Sequence, residues 1–369
     1  MKTTFLSSKD IETIIIDVGV DHLLDNLIEK LRTGFASKEL ANAQIPTRSG
    51  LYYTEPDLGL LEWMPAATDN QATLKIVGYH PTNPGKRKLP TILSTLCAFD
   101  TDTGHMRGIL DGTFPTALRT GAMSAVASSI LTPSNRPLSL AFIGGGAQAV
   151  TQAHALSRVL NIEKIFVHDK IDGAAQSLKN RIEFLQIPVH VLSREAFIEQ
   201  LPDFDLLCTC TSEVPGTGAL FEDFLNKSDL HINAVGSDFP EKFELPHALL
   251  KRAFVCPDFL EQAFIEGECQ QLKRSDVSFD LAALLTATKK QQEEFRNGLT
   301  VFDSTGHAYA DFIATEFFLQ YAEDLGLGSQ IELESVPDDP LNPYSFLSSS
   351  NFKTHFSPPL PVSARENGL

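Results

Sequence analysis

The chain has 369 residues, a length typical of two domains. Its 43% hydrophobic and 21% charged residues are typical of a globular protein and argue against disorder. Acidic residues outnumber basic residues by 47 to 30, so the net charge is −17, and we expect no binding to nucleic acids or anionic membranes.

The N-terminal segment "MKTTFLSSKDIETIIIDVGVDHLLDNLIEKL" predicts a strand followed by an amphipathic helix. It lacks the basic segment, apolar run and small-residue cleavage site of a signal peptide. No apolar run approaches the roughly 20 residues that a membrane span requires. We therefore expect a cytoplasmic protein without a membrane segment.

The region up to residue 130 predicts an α+β unit. The segments "GLLEWMPAA", "QATLKIVGYHP" and "PTILSTLCAFDTDTG" have the composition of strands, and turn residues such as Pro84 and Gly85 separate them. A helix is predicted through "TALRTGAMSAVASSIL". These elements precede a region of different character.

From Pro137 onward, helical patterns alternate with short apolar runs that are typical of buried parallel strands. The runs are "LSLAFIGGG", "EKIFVHD", "FDLLCTCTS", "LHINAVG" and "RAFVCPD". Such alternation predicts an α/β domain with a doubly wound sheet. The following segment "TVFDSTGHAYADFIATEFFLQYAEDLGLG" predicts a loop and a long helix, which we expect to return to the first unit.

The five cysteines show no metal-ligand spacing, although Cys208 and Cys210 would share one face of a strand. A zinc site needs two further ligands nearby, and none is evident. We expect buried free thiols and no metal.

The segment "SLAFIGGGAQAVTQAHAL" predicts a strand, a glycine turn and a helix. Its Gly144-x-Gly146-x-x-Ala149 spacing is a dinucleotide fingerprint. The first glycine permits the tight turn, and the second lets the backbone approach a pyrophosphate at the helix N-terminus, which Ala147 and Gln148 begin. We therefore predict an α/β fold with a Rossmann-type doubly wound sheet at residues 131–304, inserted into a second α+β domain at 1–130 and 305–369.

Asp169 lies at the end of the next predicted strand, 23 residues after Gly146, near the spacing expected for a ribose-binding acid. A carboxylate there accepts hydrogen bonds from ribose hydroxyls and repels a 2′-phosphate, so NAD is favoured over NADP. A structural turn followed by a surface aspartate is the alternative.

The tail from Ser335 contains six prolines and is interpreted as an extended arm that packs against a neighbouring subunit.

Four further motifs resemble the ornithine cyclodeaminase/μ-crystallin family. They are "GTFPTALRTGAMSAVA", "LHINAVGSDFPEKFEL", "IEGECQQL" and "LTVFDSTGHAYADF". Together with Glu62 before "MP", they are most similar to bacterial ornithine cyclodeaminases, over nearly the whole chain. The resemblance implies NAD(P)(H) binding, a homodimer formed through the non-nucleotide domain, which also binds substrate, and activity on amino acids or their imines.

Arg48 and Lys75 match family positions that hold the substrate α-carboxylate. A small zwitterion offers little else for orientation, and arginine provides a bidentate fork. Lys75 lies in an apolar strand, where an unpaired lysine would be costly. Arg48 has an alternative interpretation as a solvated loop cation. Thr305 matches a substrate-pocket position at which the family often has a small apolar residue.

Asp238 is the leading candidate for proton transfer, because it follows "INAVG" at the carboxyl edge of the sheet. The matching family aspartate contacts the substrate amine, and a carboxylate can accept and return its proton. An ordinary turn or cap is the alternative for Asp238. Glu62 is the second catalytic candidate, since paired acids in different environments can divide the acid and base roles; an outward-facing glutamate is its alternative.

The remaining cofactor contacts follow from the resemblance. Arg119 matches an arginine near the pyrophosphate and the carboxylate, with a structural salt bridge as the alternative. In "SDFPEK", Glu241 stands where the most similar enzymes of the family have a glycine. If that glycine has a positive φ, the loop that carries Lys242 must have a different conformation in this chain. The other matching residues are Thr91, Thr211, Asn233, Ala234, Val235, Gly236, Lys242 and Ser304.

The resemblance implies an ammonia-lyase that converts L-ornithine, or a related diamino acid, to L-proline, or a cyclic imino acid, and ammonia, with NAD+ recycled. A ketimine reductase or amino-acid dehydrogenase on the same fold would instead give net redox. A non-enzymatic binding protein is the third hypothesis. The two acids and the carboxylate clamp argue against it, because binding alone needs no proton transfer.

Overall fold

The computed structural model describes residues 1–133, 136–223 and 229–347, and within these ranges the strands form two sheets. The strands are β1 (Thr3–Leu6), β2 (Ser49–Tyr53), β3 (Gly59–Ala67), β4 (Gln71–Tyr79), β5 (Ile92–Asp100), β6 (Met106–Asp111), β7 (Leu138–Ile143), β8 (Ile162–His168), β9 (Val189–Val191), β10 (Leu206–Thr209), β11 (His231–Ala234), β12 (Phe254–Pro257), β13 (Thr300–Asp303) and β14 (Ser329–Ile331).

The α-helices within the same ranges connect and cover these sheets. They are α1 (Ser8–Val18), α2 (Val20–Phe35), α3 (Lys38–Asn42), α4 (Asn83–Arg87), α5 (Thr113–Leu131), α6 (Ala147–Val159), α7 (Asp172–Arg181), α8 (Arg194–Gln200), α9 (His247–Arg252), α10 (Leu260–Glu266), α11 (Leu281–Thr286), α12 (Lys289–Arg296) and α13 (Ala308–Leu325). None of these helices is both long enough and apolar enough to cross a membrane.

The first sheet has the order β14-β1-β6-β5-β4-β3-β2 and is antiparallel from β2 to β6. Helices α5 and α13 pack against its inner face, and α2 packs against both helices. The single N-terminal helix expected from the sequence is two helices, because Gly19 has φ +84°, a left-handed conformation that ends α1 and begins α2.

The second sheet is parallel throughout, with the order β12-β13-β11-β10-β7-β8-β9. Alternate residues of β7 enter different cores: Leu140 and Phe142 pack with α6 and α7, whereas Ala141 and Ile143 pack with α8 and α9. Helices therefore cover both faces, which confirms the α/β class and the doubly wound sheet. The strand order reverses at β7, so the crevice expected for a ligand lies at its carboxyl end.

The strands of the first sheet come from residues 3–111 and 329–331, and those of the second from 138–303. Helix α5 joins the two parts and contacts both sheets. This distribution of the strands between two sheets supports the proposed domain boundaries at residues 131 and 304. From Ser335 to Leu347 the tail is mostly exposed and has no helix or strand, and its "SPPLP" segment lies outside the described residues. All five cysteines are free, and only Cys210 is partly exposed.

Candidate active site

Two cavities lie at the carboxyl edge of the second sheet. The larger has a volume of about 490 Å³, and the smaller, which elements of both sheets enclose, about 120 Å³. The predicted residues that line the larger cavity are Thr91, Gly144, Gly146, Asp169 and Thr211. Those that line the smaller cavity are Arg48, Glu62, Lys75, Arg119, Gln148, Val235, Asp238, Ser304 and Thr305. The structure therefore brings most of the predicted site residues together.

The glycine loop forms one wall of the larger cavity. Gly144 has φ +102°, and a Cβ atom there would lie 2.5 Å from the carbonyl oxygen of Cys210, so both conformation and space require glycine. A Cβ atom at Gly146 would meet nothing within 4 Å, which leaves room at the N-terminus of α6. Arg181 donates to the carbonyl oxygens of Gly145 and Gly146 and holds the loop. This cradle fits a dinucleotide pyrophosphate.

Asp169 is fixed at the end of β8 by two backbone hydrogen bonds. Its Oδ2 atom accepts from the Gly145 N–H at 2.8 Å, and its Oδ1 atom accepts from the Ile171 N–H at 2.7 Å. Lys170, which follows, has its Nζ atom 2.8 Å from the Oε1 atom of Glu213. The positive charge of Lys170 beside Asp169 is therefore paired with Glu213.

One wall of the smaller cavity contains two buried cations, Lys75 and Arg119, which both pair with the carboxylate of Asp311. The Oδ2 atom of Asp311 lies 2.8 Å from Lys75 Nζ, and its Oδ1 atom accepts from Arg119 Nε at 2.9 Å. Burial, together with the charge of Arg119, lowers the pKa of Lys75 to about 8. Although burial opposes it, the two cations lower the pKa of Asp311. The cluster keeps a net positive charge and can bind an anion.

Asp311 was not predicted, although it is the protein partner that Lys75 requires. The available signal was an acid in the first, apolar part of the helical run "AYADFIATEFF". Arg119 lines the smaller cavity and not the larger one. Of the two anions considered for Arg119, the position favours the substrate carboxylate.

Arg48 is buried, which contradicts its interpretation as a solvated loop cation. Its Nε and Nη2 atoms form an ion pair with Glu266, and Nε lies 3.7 Å from Glu62 Oε1. Two further N–H groups donate to the carbonyl oxygens of Thr305 (3.0 Å) and Asp238 (2.9 Å). Glu266 was also missed, although "IEGECQQL" contains it. Most of the Arg48 donors are engaged within the protein.

The two candidate acids have different environments. Glu62 has a side chain that is 5% exposed, and its Oε1 atom accepts from the hydroxyl of Tyr52 at 3.0 Å. Asp238 is 34% exposed, and Lys242 Nζ donates to its Oδ1 atom at 2.8 Å. The two acids therefore differ in solvent access and in the group that each one contacts. Lys242 lines neither cavity and also donates to the carbonyl oxygen of Thr211 at 3.2 Å, so it holds the Asp238 turn in place.

Several predicted cofactor residues do not line either cavity. Asn233 and Ala234 lie inside β11 without exposed surface, and the Asn233 amide donates to Ser128 Oγ at 3.0 Å. Ala147 is the first residue of α6, and the Gly236 N–H donates to Glu244 at 3.2 Å. Ser304, by contrast, lines the smaller cavity with a buried hydroxyl that has no hydrogen-bond partner among the residues described. That hydroxyl is available to a ligand.

Glu241 adopts the left-handed conformation, with φ +63°. We expect Glu241→Gly to raise the free energy of unfolding by about 0.5–1 kcal/mol, because relief of left-handed strain outweighs the added entropy of the unfolded chain. Urea denaturation measures the change. Glu241→Ala retains the Cβ atom and should give no gain. A glycine variant that is less stable than the unmodified protein would contradict this account of the turn.

Comparison with known proteins finds relatives that match nearly the whole chain. The ornithine cyclodeaminase/mu-crystallin family model matches residues 8–324. L-lysine cyclodeaminase of Streptomyces rapamycinicus is 41% identical over 349 residues, which are 94% of this chain and 100% of that protein. Alanine dehydrogenase of Archaeoglobus fulgidus is 30% identical, over 90% of this chain and 99% of the relative. Ornithine cyclodeaminase of Brucella melitensis is 29% identical, over 93% of this chain and 92% of that protein.

Two solved structures are similar over the same extent. A lysine cyclodeaminase, described with recognition of L-lysine, L-ornithine and L-2,4-diaminobutyric acid, has a TM-score of 0.89 and 40% identity, and the match covers 94% of this chain and 99% of that chain. An archaeal alanine dehydrogenase dimer with bound NAD has a TM-score of 0.76 and 28% identity, and the match covers 90% of this chain and 100% of that chain. The chain belongs to the ornithine cyclodeaminase/mu-crystallin family.

Proposed function

We propose that the protein is an NAD-dependent cyclodeaminase of an L-diamino acid. The observation that carries the proposal is the smaller cavity, which has a cationic wall of Lys75 and Arg119, two acids, and a position beside the dinucleotide cleft. The resemblance seen in the sequence implied L-ornithine as the first candidate substrate. The identity of 41% to a lysine cyclodeaminase, against 29% to an ornithine cyclodeaminase, favours L-lysine as the first substrate to test. The products would be ammonia and a cyclic imino acid, L-pipecolate from L-lysine or L-proline from L-ornithine.

NAD fits the glycine cradle and the carboxylate of Asp169. When bound, it would supply reversible hydride transfer at the substrate Cα, so that the overall reaction involves no net redox. Gly144 and Gly146 would hold the pyrophosphate, Asp169 the adenosine ribose, and Thr211 the opposite half of the cofactor.

The chain's own residues divide the remaining work. Lys75 and Arg119 bind the α-carboxylate and orient Cα. Asp238, the more exposed acid, accepts a proton from the α-ammonium and later donates one to the departing ammonia. Glu62 binds the distal amine near the reacting carbon. The small volume of the cavity, about 120 Å³, leaves little room for water beside a bound substrate, and water would otherwise hydrolyse the imine.

Simultaneous assays of ammonia, NADH and the cyclic product test this function. Purified protein with catalytic amounts of NAD+ should release ammonia from L-lysine or L-ornithine without accumulating NADH. The 30% identity to an alanine dehydrogenase supports amino-acid oxidation as the second candidate, for which NADH would form stoichiometrically. Binding of NAD+ without turnover of any amino acid or imine tested would contradict both candidates.

We expect NAD+ to bind much more tightly than NADP+, because the carboxylate of Asp169 at the end of β8 repels a 2′-phosphate. Asp169→Ser should narrow the difference, whereas Glu213→Gln should have a smaller effect, since Glu213 is already paired with Lys170. Calorimetric titration with both nucleotides measures the preference. Equal affinities in the unmodified protein would refute this role for Asp169.

The protein is proposed to be a homodimer formed by the first sheet. Leu51, Leu61, Ile76 and Leu93 form an apolar stripe on the outer face of β2–β5, and each is at least 37% exposed. Leu61→Asp should therefore produce monomers in light scattering at micromolar concentration. Ile16→Asp, an exposed change on α1, should leave the assembly intact. A monomeric unmodified protein would contradict the proposal.

A further inference from the structure

Three buried carboxylates lie behind the larger cavity without a cation in direct contact, although the charge of Lys242 acts on one of them, Glu244. Asp303 ends β13, Glu268 follows α10, and Glu244 follows the turn that carries Lys242; none has exposed surface. Within the described ranges, no lysine or arginine nitrogen lies within 4.0 Å of these carboxylates. None of the three lines either cavity. Burial of three acids without paired cations is costly, so their backbone partners matter.

The first two acids each accept backbone hydrogen bonds from the next segment. Asp303 accepts from the N–H groups of Glu268 and Cys269, both at 2.9 Å. Glu268 accepts from the N–H groups of Glu244 at 2.7 Å and Leu245 at 3.2 Å. Each carboxylate therefore fixes the backbone that carries the following one. Because both oxygens of each acid accept an N–H group, two consecutive residues of the next segment are held against one buried side chain.

Glu244 extends this sequence of contacts to the cofactor cleft. Its Oε1 atom accepts from the Thr211 N–H at 3.0 Å, and its Oε2 atom accepts from the Gly236 N–H at 3.2 Å. Thr211 lines the larger cavity, and Gly236 lies two residues before Asp238. The three carboxylates thus connect the end of β13 to the ends of β10 and β11. We call Asp303, Glu268 and Glu244 the carboxylate chain.

Two glycines allow the close approach that the carboxylate chain requires. A Cβ atom at Gly267 would lie 2.5 Å from Asp303 Oδ2, and one at Gly236 would lie 2.3 Å from Glu244 Oε1. Any side chain at these positions would displace a carboxylate from its N–H donors. Burial also raises the pKa of Glu268, so the backbone donors are what oppose its protonation.

We propose that Asp303, Glu268 and Glu244 are positioning residues that fix Thr211 and Gly236 and thereby set the affinity for the nicotinamide half of NAD+. The inference rests on the proposed function, because it assumes that NAD+ occupies the larger cavity. Asp169 lies on the β8 side of the strand reversal, and Thr211 and Gly236 lie on the β10–β11 side. The carboxylate chain should therefore affect one half of the cofactor and not the other.

Glu268→Gln provides the test, since it preserves size but replaces one acceptor by an amide donor that faces an N–H group. We expect the Kd for NAD+ to rise about tenfold, the size expected when a buried N–H group is left without an acceptor. The Kd for ADP, which contains only the adenosine half and both phosphates, should change less than about twofold. Glu261→Gln, an exposed change on α10, is the matched control.

Unchanged affinity for both nucleotides, or equal weakening of both, would overturn the proposal and leave the carboxylate chain with a structural role alone. If Glu268→Gln does not fold, Gln271→Ala removes a single donor to Glu268 (Nε2 to Oε2, 3.0 Å) and should weaken NAD+ binding selectively in the same way. Failure of the unmodified protein to bind NAD+ would instead refute the proposed function, so the two failures are distinguishable.

Discussion

Replacing Asp238 with asparagine is expected to lower turnover by about two to four orders of magnitude, the range for loss of a positioned acid–base group. Asparagine has nearly the same shape but cannot accept a proton at neutral pH. Because the glycine loop and Asp169 line the other cavity, the affinity for NAD+ should change little. Steady-state kinetics with L-lysine and L-ornithine, combined with NAD+ titration, measure both quantities.

The Asp238→Asn variant also removes the charge partner of Lys242, so its thermal stability must be measured alongside its activity. Glu261→Gln removes an exposed acid and should keep full activity. A rise confined to KM would make Asp238 an amine-binding group and not a proton carrier. Turnover close to that of the unmodified protein would exclude the assignment and transfer the role to Glu62.

Asp311→Asn is expected to lower the free energy of unfolding by about 3–5 kcal/mol, the cost of leaving buried charges without a partner. Lys75 and Arg119 both depend on this carboxylate, and the three side chains are at most 6% exposed. Denaturant titration measures the loss. Activity should fall as well, because the two cations lose the geometry that presents them to the substrate carboxylate.

A double variant separates the two effects of the Asp311 change. Lys75→Met together with Asp311→Asn removes one of the two cations that Asp311 balances, so part of the lost stability should return. Activity should not return, because the substrate carboxylate lacks a ligand. A double variant that is stable and as active as the unmodified protein would refute the carboxylate role of Lys75.

The features that the sequence predicted well are local. The glycine turn, the strand before it and Asp169 lie within one short stretch, and the alternation of strands and helices depends on neighbouring residues. Periodicity and spacing therefore predicted the doubly wound sheet and, among the residues that line the two cavities, Gly144, Gly146, Gln148 and Asp169. The resemblance to a family added the positions of Arg48, Glu62 and Asp238, which no local pattern distinguishes.

The features that the sequence analysis missed depend on distant pairs. Arg48 and Glu266 are 218 residues apart, and Arg119 and Asp311 are 192 apart. Composition and periodicity cannot show which acid approaches which base over such separations. They also cannot show the backbone conformation at Glu241, a position where the most similar enzymes of the family have a glycine. Glu241 keeps the left-handed turn in which glycine is usual, so Lys242 still reaches Asp238.

The pairing of β14 with β1 has a consequence for synthesis of the chain on the ribosome. Thr3 pairs with Ile331, and α13, which covers the first sheet, begins only at Ala308. The second sheet is complete once Asp303 has been made, so it can fold while the first sheet still lacks its last strand and covering helix. The N-terminal residues are therefore translated first but reach their final contacts last, and their apolar face must remain protected until the last strand emerges.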